Sequence, residues 1–134
     1  MIVIDSNVIG YLFVNSQRTD QAEAALAKDA DWRSPPLWRS EFRNVLTLYM
    51  RKQLLALEES QKIMGKALQL MAGREYDVAS SHVLQLAAGS TCSAYDCEFV
   101  ALAKDFGIPL ITVDKKILSQ FPDVAIALDQ YVVV

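Results

Sequence analysis

The sequence predicts a three-layer α/β/α domain, with a central, mainly parallel sheet of about five short strands between helices. Three observations carry this. Ile2 to Ile4 and the run PLITVD (109–114) are continuously apolar without alternation, the pattern of strands covered on both faces. Amphipathic stretches with helical spacing alternate with short strand-like runs, the order that gives parallel strands joined by right-handed crossovers. The chain has 134 residues, 52% hydrophobic and 22% charged, enough to bury one core without staples, so one domain over 1–134 is expected.

The elements follow in order. Ile2 to Ile4 form the first strand and stop on Asp5. NVIGYLF is a short helix, and TDQAEAALAKD a second with Thr19 and Asp20 as cap candidates. DWRS is a brief strand. In PPLWRSEFRNVLTLYMRK, Pro36 suits a first helical position, and Leu37, Val45, Leu48 and Tyr49 are expected to face the core. EESQKIMGKALQLMAG carries Ile63, Met64, Ala67, Leu68 and Met71 at helical spacing and stops at Gly73. YDVA is read as a strand, SSHVLQLAAG and SAYDCEFVALAKDFG as helices closed by Gly89 and Gly107, and PLITVD as a buried strand ending on Asp114. KKILSQF is a short helix and VAIAL a last strand; the terminal YVVV has no assignment.

Composition removes several function classes. No apolar run approaches the roughly 20 residues that cross a bilayer, and no basic region precedes the N-terminal apolar stretch, so no span or signal peptide is expected and the cytoplasm is the expected location. Cys92 and Cys97 lack the spacing and histidines of a zinc site and read as reduced structural thiols. His82, the one histidine, reads as an ordinary helical residue, which weakens hydrolase mechanisms that need an imidazole base. A net charge of −3 gives no general field for nucleic acid, although basic groups collect in RSEFR, MRKQ and DKK.

Four acids stand out by position: Asp5, Glu41, Asp96 and Asp114. Each has a structural role open to it. Asp5 and Asp114 are placed to cap the helices after them, Glu41 complements the positive end of its helix, and Asp96 completes the capping pattern Ser93-Ala94-Tyr95-Asp96. Taken together they say more, because a parallel sheet brings strand C-termini and the starts of the following helices to one edge, where ligands of open α/β sheets bind. Crowded carboxylates raise one another's pKa, an arrangement best tolerated around a cation. An all-oxygen site selects Mg²⁺, or Mn²⁺, completed by water and substrate phosphate, which points to phosphoester chemistry without a histidine.

Further residues fall at the same edge. Ser6, Asn7 and Thr112 supply short polar groups there, and Asn44 shares a helix face with Glu41, while Arg39 and Arg43 share a different face toward solvent or a partner. Glu98 is two residues from Asp96 and points about 200° around the helix, so it ranks below the other acids. Lys115 and Lys116 are candidates to hold a phosphate or RNA, or are simply a solvated helix start. Tyr11, Leu12, Phe13, Trp38, Phe42 and Tyr49 give the N-terminal helices more large apolar surface than a small domain needs, which leaves part of it for a partner and the rest for the core.

VIDSNVI, SEFRNVL and SAYDCEFVALAKDFGIPLITVDKKIL, in this order and spacing, resemble the PIN domain, and among PIN domains the VapC-like toxins of type II toxin and antitoxin pairs. The likeness is most specific in AYDCEFVALA and PLITVD; from Leu54 to Val83 only helical character matches. It implies a PIN-like fold over the chain and a Mg²⁺-dependent endoribonuclease with Asp5, Glu41, Asp96 and Asp114 as its acidic quartet. It places Thr112 as the hydroxyl residue beside the last acid. It also implies an RNA substrate, a homodimer and a small cognate antitoxin protein that inserts near the site. Cys97 stands where the family often has a smaller residue. Two readings from other classes remain open: a metal- and nucleic-acid-binding module that does not cut, and a receiver-like Mg²⁺-binding signalling domain. The latter wants a second acid beside Asp5 and a phosphoacceptor aspartate ending the third strand; Ser6 follows Asp5, and YDVA is a poor acceptor strand.

Overall fold

A computed structural model describes residues 1–133 of the chain. In order, the elements are β1 (Ile2–Ile4), α1 (Ser6–Phe13), α2 (Thr19–Lys28), β2 (Trp32–Arg33), α3 (Leu37–Arg51), α4 (Leu57–Met71), α5 (Ser80–Ala88), α6 (Ala94–Phe106), β3 (Leu110–Thr112), α7 (Lys115–Gln120), β4 (Ala125–Ala127) and α8 (Leu128–Val132). The sheet is parallel, in the order β2-β1-β3-β4, and flanked by helices. β1 is paired on both sides and β3 likewise, so their residues are wholly buried, as their unbroken apolar runs require.

Parallel pairing sets the edge where chemistry can gather. Val3 lies beside Leu110 and Ile4 beside Ile111, so the residues that follow, Asp5 and Thr112, emerge together. α6 packs on β1 and β3 and returns the chain toward β3. Its N-terminus therefore sits at the same edge as the strand C-termini. Ser93 fixes that start by accepting the Asp96 N–H at 3.1 Å, and Gly107, left-handed at φ 64°, closes the other end so that Ile108 N–H reaches Ala103 C=O.

The sheet has four strands where the sequence suggested five. YDVA is not a strand: a single rung joins Ser34 to Glu75, with Tyr76 N–H on the Ser34 carbonyl, and the chain then leaves for α5. Tyr76 instead packs edge-on against Phe106, with Arg33 over both rings. On α3 the core face is also turned from the expected one. Trp38, Phe42 and Leu46 are buried, Leu37, Val45 and Tyr49 are half-buried, and Leu48 is 45% exposed. Trp38 and Phe42 are thus unavailable to any partner. Thr19 opens α2 without capping it, its hydroxyl donating to the Tyr11 carbonyl. Of YVVV, Tyr131 and Val132 belong to α8, and Val134 lies outside the described residues. Among the described residues no helix is long and apolar enough to cross a membrane.

Candidate active site

At the C-terminal edge of the sheet a cavity of about 260 Å³ is lined by Asp5, Ser6, Asn7, Glu41, Asn44, Val45, Asp96 and Asp114. All four acids singled out from the sequence meet there. They come from four separate junctions: the end of β1, the second turn of α3, the first turn of α6 and the start of α7.

Asp5 is 7% exposed and stands at the N-cap position of α1, yet its carboxylate does not cap the helix. It accepts the Thr112 hydroxyl at 2.6 Å instead. Burial pushes its pKa from 3.8 up to about 6; the Thr112 and Ser6 hydrogen bonds oppose the rise, and the charges of Glu41 and Asp114 add to it. Glu41 is half-buried and accepts the Ser6 hydroxyl at 2.6 Å. Its pKa is also raised, by burial first and by Asp96, against the Ser6 bond.

Asp114 does take the capping role. Its Oδ1 accepts the Lys116 and Ile117 N–H groups at 2.8 and 3.0 Å, while its own N–H donates to Thr112 Oγ1 at 3.0 Å. Both recorded bonds fall on Oδ1, so capping engages only one of the two carboxylate oxygens. In the α6 pattern only half of the capping box forms: Ser93 accepts from Asp96 N–H, without a reciprocal bond from the Asp96 side chain. The acid is thus placed by its cap without being consumed by it.

The remaining candidates divide. Asn7 and Asn44 are exposed and line the cavity from α1 and α3. Glu98 faces a different hollow with Val78, Ser80, Val83 and Leu84, although Glu41 contributes to its raised pKa after burial. Lys115 and Lys116 are exposed and line none of the acid cavity. His82 pairs with Asp105 at 3.1 Å between α5 and α6, and both cysteines are free and buried. Glu75 was not singled out from the sequence. It accepts Trp38 Nε1 at 2.7 Å and the Arg39 guanidinium, and so ties down the first turn of the helix that carries Glu41. Only its tertiary partners reveal it. A larger hollow of about 470 Å³ lies at the opposite edge of the sheet, where the charged lining residues Lys104 and Asp123 pair with each other at 3.5 Å.

The donor set of the acid cavity fits a hard divalent cation. It is all oxygen apart from the two amide nitrogens, and no lysine, arginine or histidine side chain lines it. The carboxylates surround the cavity rather than meet at one point: among the described residues no three acid, histidine or cysteine side chains are grouped so that they alone could hold a metal ion. Water and substrate oxygens would have to complete the coordination, which is the usual habit of Mg²⁺.

Comparisons with known proteins agree with this architecture. The sequence profile of the family described as PIN domain matches residues 2–125. Ribonuclease VapC3 of Pyrobaculum aerophilum is 27% identical over 124 residues, covering 90% of this chain and 95% of that protein. The crystal structure of PAE2754 from Pyrobaculum aerophilum superposes with a TM-score of 0.73 at 17% identity, covering 98% of this chain and 92% of the other. FitAcB from Neisseria gonorrhoeae gives 0.70 at 22% identity over 93% and 95% of the two chains. FitAB bound to the IR36 DNA fragment gives 0.71 at 20% identity over 96% and 95%.

Proposed function

This chain belongs to the PIN domain family, and on that footing we propose that it is a metal-dependent endoribonuclease that hydrolyses RNA phosphodiester bonds at the Asp5, Glu41, Asp96 and Asp114 cavity. One observation carries the reading: four carboxylates from four junctions line one cavity with no cationic side chain among them. Burial first, and the neighbouring carboxylate charges after it, raise the pKa values of Asp5 and Glu41, and a bound cation would offset both costs.

Carboxylates from this cavity, with water and substrate oxygens completing the shell, would hold Mg²⁺, or Mn²⁺, which when bound would neutralise phosphate charge and make water a stronger nucleophile near neutral pH. The chain's own work is to fix those ligands. The Ser6 hydroxyl holds Glu41 and the Thr112 hydroxyl holds Asp5, so neither acid must be immobilised at the moment of reaction. In the net reaction, water oxygen forms a bond to phosphorus, one P–O bond breaks and the departing oxygen gains a proton. Asn7 and Asn44 on the rim can orient the phosphate or sugar. Lys115 and Lys116, just outside, serve the rest of the RNA backbone by charge.

The relative named Ribonuclease VapC3 supports the ribonuclease reading; the wider proposal, carried by the family resemblance, is that the chain is the toxin of a type II pair, acts in the cytoplasm as a homodimer and is held in check by a small antitoxin protein. Cleavage of a labelled RNA pool by purified protein in Mg²⁺, in Mn²⁺ and in EDTA tests the enzyme. Cutting that requires metal and disappears in Asp96→Asn is the expected result. Cutting that survives EDTA, or that Asp96→Asn retains, would refute it.

A further inference from the structure

Asn7 and Val45 line the acid cavity and also a second, smaller hollow between α1 and α3, of about 40 Å³, whose other walls are Gly10, Tyr11, Val14 and Tyr49. The reaction site and this hollow are therefore neighbours with a common wall. Tyr11 and Tyr49 are half-buried, each packed against the core with part of the side chain open to solvent. Beyond them the exposed Arg18 guanidinium stands over the Tyr11 ring at 5.9 Å.

Gly10 supplies an independent sign. It lies inside α1, where glycine weakens a helix relative to alanine. Nothing in the packing demands it. Its backbone is not left-handed, and a methyl group there would meet the Phe42 ring at 3.6 Å, an ordinary van der Waals contact. Gly10 itself lines the hollow, so a side chain at this position would stand at its wall. The glycine is explained if the hollow must stay open.

We propose that this hollow receives the edge of a nucleobase flanking the scissile phosphate of single-stranded RNA, with Tyr11 and Tyr49 as stacking faces and the Asn7 amide reading the base edge. The proposal rests on the ribonuclease reading and adds a specificity site to it. Aromatic walls accept any base by its π face, whereas an amide offers both a donor and an acceptor and so discriminates. At about 40 Å³ the hollow is too small for a whole base, so an exocyclic group or ring edge enters and the ring itself lies across the tyrosines. Arg18 then meets the next phosphate along the strand.

Gly10→Ala and Tyr49→Leu test this, because the first adds a methyl where space exists and the second keeps apolar volume while removing the π face. Affinity for short labelled single-stranded RNAs that differ at one flanking base is read by fluorescence anisotropy in Mg²⁺, on an Asp96→Asn background. Cleavage kinetics are read in parallel with Asp96 intact, and thermal melts verify that each variant is folded. Tyr49→Leu should weaken RNA binding about ten-fold, the scale of one lost base stack, and Gly10→Ala should weaken it in the same direction, with the loss falling on KM rather than kcat and the flanking-base preference flattened. Tyr49→Phe, which keeps the ring, should restore binding. Parental affinity and preference in both variants would overturn the proposal while leaving the ribonuclease in place, and would return the hollow to a protein partner. A parent that never cuts RNA would sink the ribonuclease reading instead; RNA binding still weakened by Gly10→Ala would then keep the base site, and unaffected binding would remove it.

Discussion

Thr112 and Asp5, 107 positions apart in the chain, are joined by a hydrogen bond of 2.6 Å from the threonine hydroxyl to Asp5 Oδ2. The same oxygen of Thr112 accepts the Asp114 N–H at 3.0 Å. One buried hydroxyl thus positions two of the four acids, and it can do so because the β1–β3 register brings the ends of both strands out side by side.

Replacing Thr112 by valine keeps the shape and removes both bonds. The buried Asp5 carboxylate and the Asp114 N–H then lose partners, for an expected loss of about 2 kcal/mol of stability at pH 7.5, while Thr112→Ser retains most of it. Urea denaturation of the three proteins measures this. Since the hydroxyl lowers the Asp5 pKa, its loss should also move any pH dependence due to Asp5 to higher pH.

Asp5 itself should destabilise the metal-free protein. Its pKa is 3.8 when unperturbed and about 6 when folded. Below about pH 3 the group is protonated in both states and has no effect; as pH rises from about 3 to 6 the unfolded state ionises first, and stability falls. Above pH 6 the full cost of about 3 kcal/mol is present. Asp5→Asn should therefore raise stability by about 2–3 kcal/mol at pH 7.5 and by almost nothing at about pH 3, as read by urea melts at both. Mg²⁺ should raise the melting temperature of the parent and not of the variant.

Asp114 caps α7 and is proposed as a metal ligand, and substitution can separate the two. Asparagine caps a helix about as well as aspartate, so Asp114→Asn should keep the stability of α7 while removing a ligand charge. Asp114→Ala should lose the cap as well, about 1 kcal/mol more. RNA cleavage should be lost in both. A stable Asp114→Asn that cuts at the parental rate would confine Asp114 to capping.

Gln53 ends α3 in the left-handed region at φ 61°, with Leu54 N–H on the Tyr49 carbonyl. It is exposed, so its side chain can be deleted without disturbing the core. Gln53→Gly relieves the steric cost against a greater loss of chain entropy, for an expected net gain of about 0.5–1 kcal/mol in thermal or urea melts, with cleavage unaltered.

How much of this could be read from the sequence depends on how local the cause is. An apolar run that stops on an acid marks both a buried strand and the edge where it ends, so Asp5 and Asp114 were legible, as was Asp96 from its cap. Which acid spends itself on capping was not, since Asp5 and Asp114 look alike until the Thr112 hydroxyl takes one of them. The pairing of Ser6 with Glu41 depends on where α1 crosses α3, and no spacing encodes it. The error at Leu48 was one of helical phase: Trp38, Phe42 and Leu46 form the buried stripe, and Leu48 lies outside it. YDVA failed as a strand because a local apolar pattern cannot say whether a neighbouring edge has a second rung to offer.

The most direct test of the central claim is the single-turnover rate of RNA cleavage by folded Asp5→Asn in Mg²⁺, set beside the parent. A protein that is more stable than the parent and does not cut is the expected result, since the carboxylate that weakens the fold is the one proposed to hold the metal. A folded Asp5→Asn that cuts at the parental rate would contradict it, leaving Asp5 a buried acid without a part in the reaction.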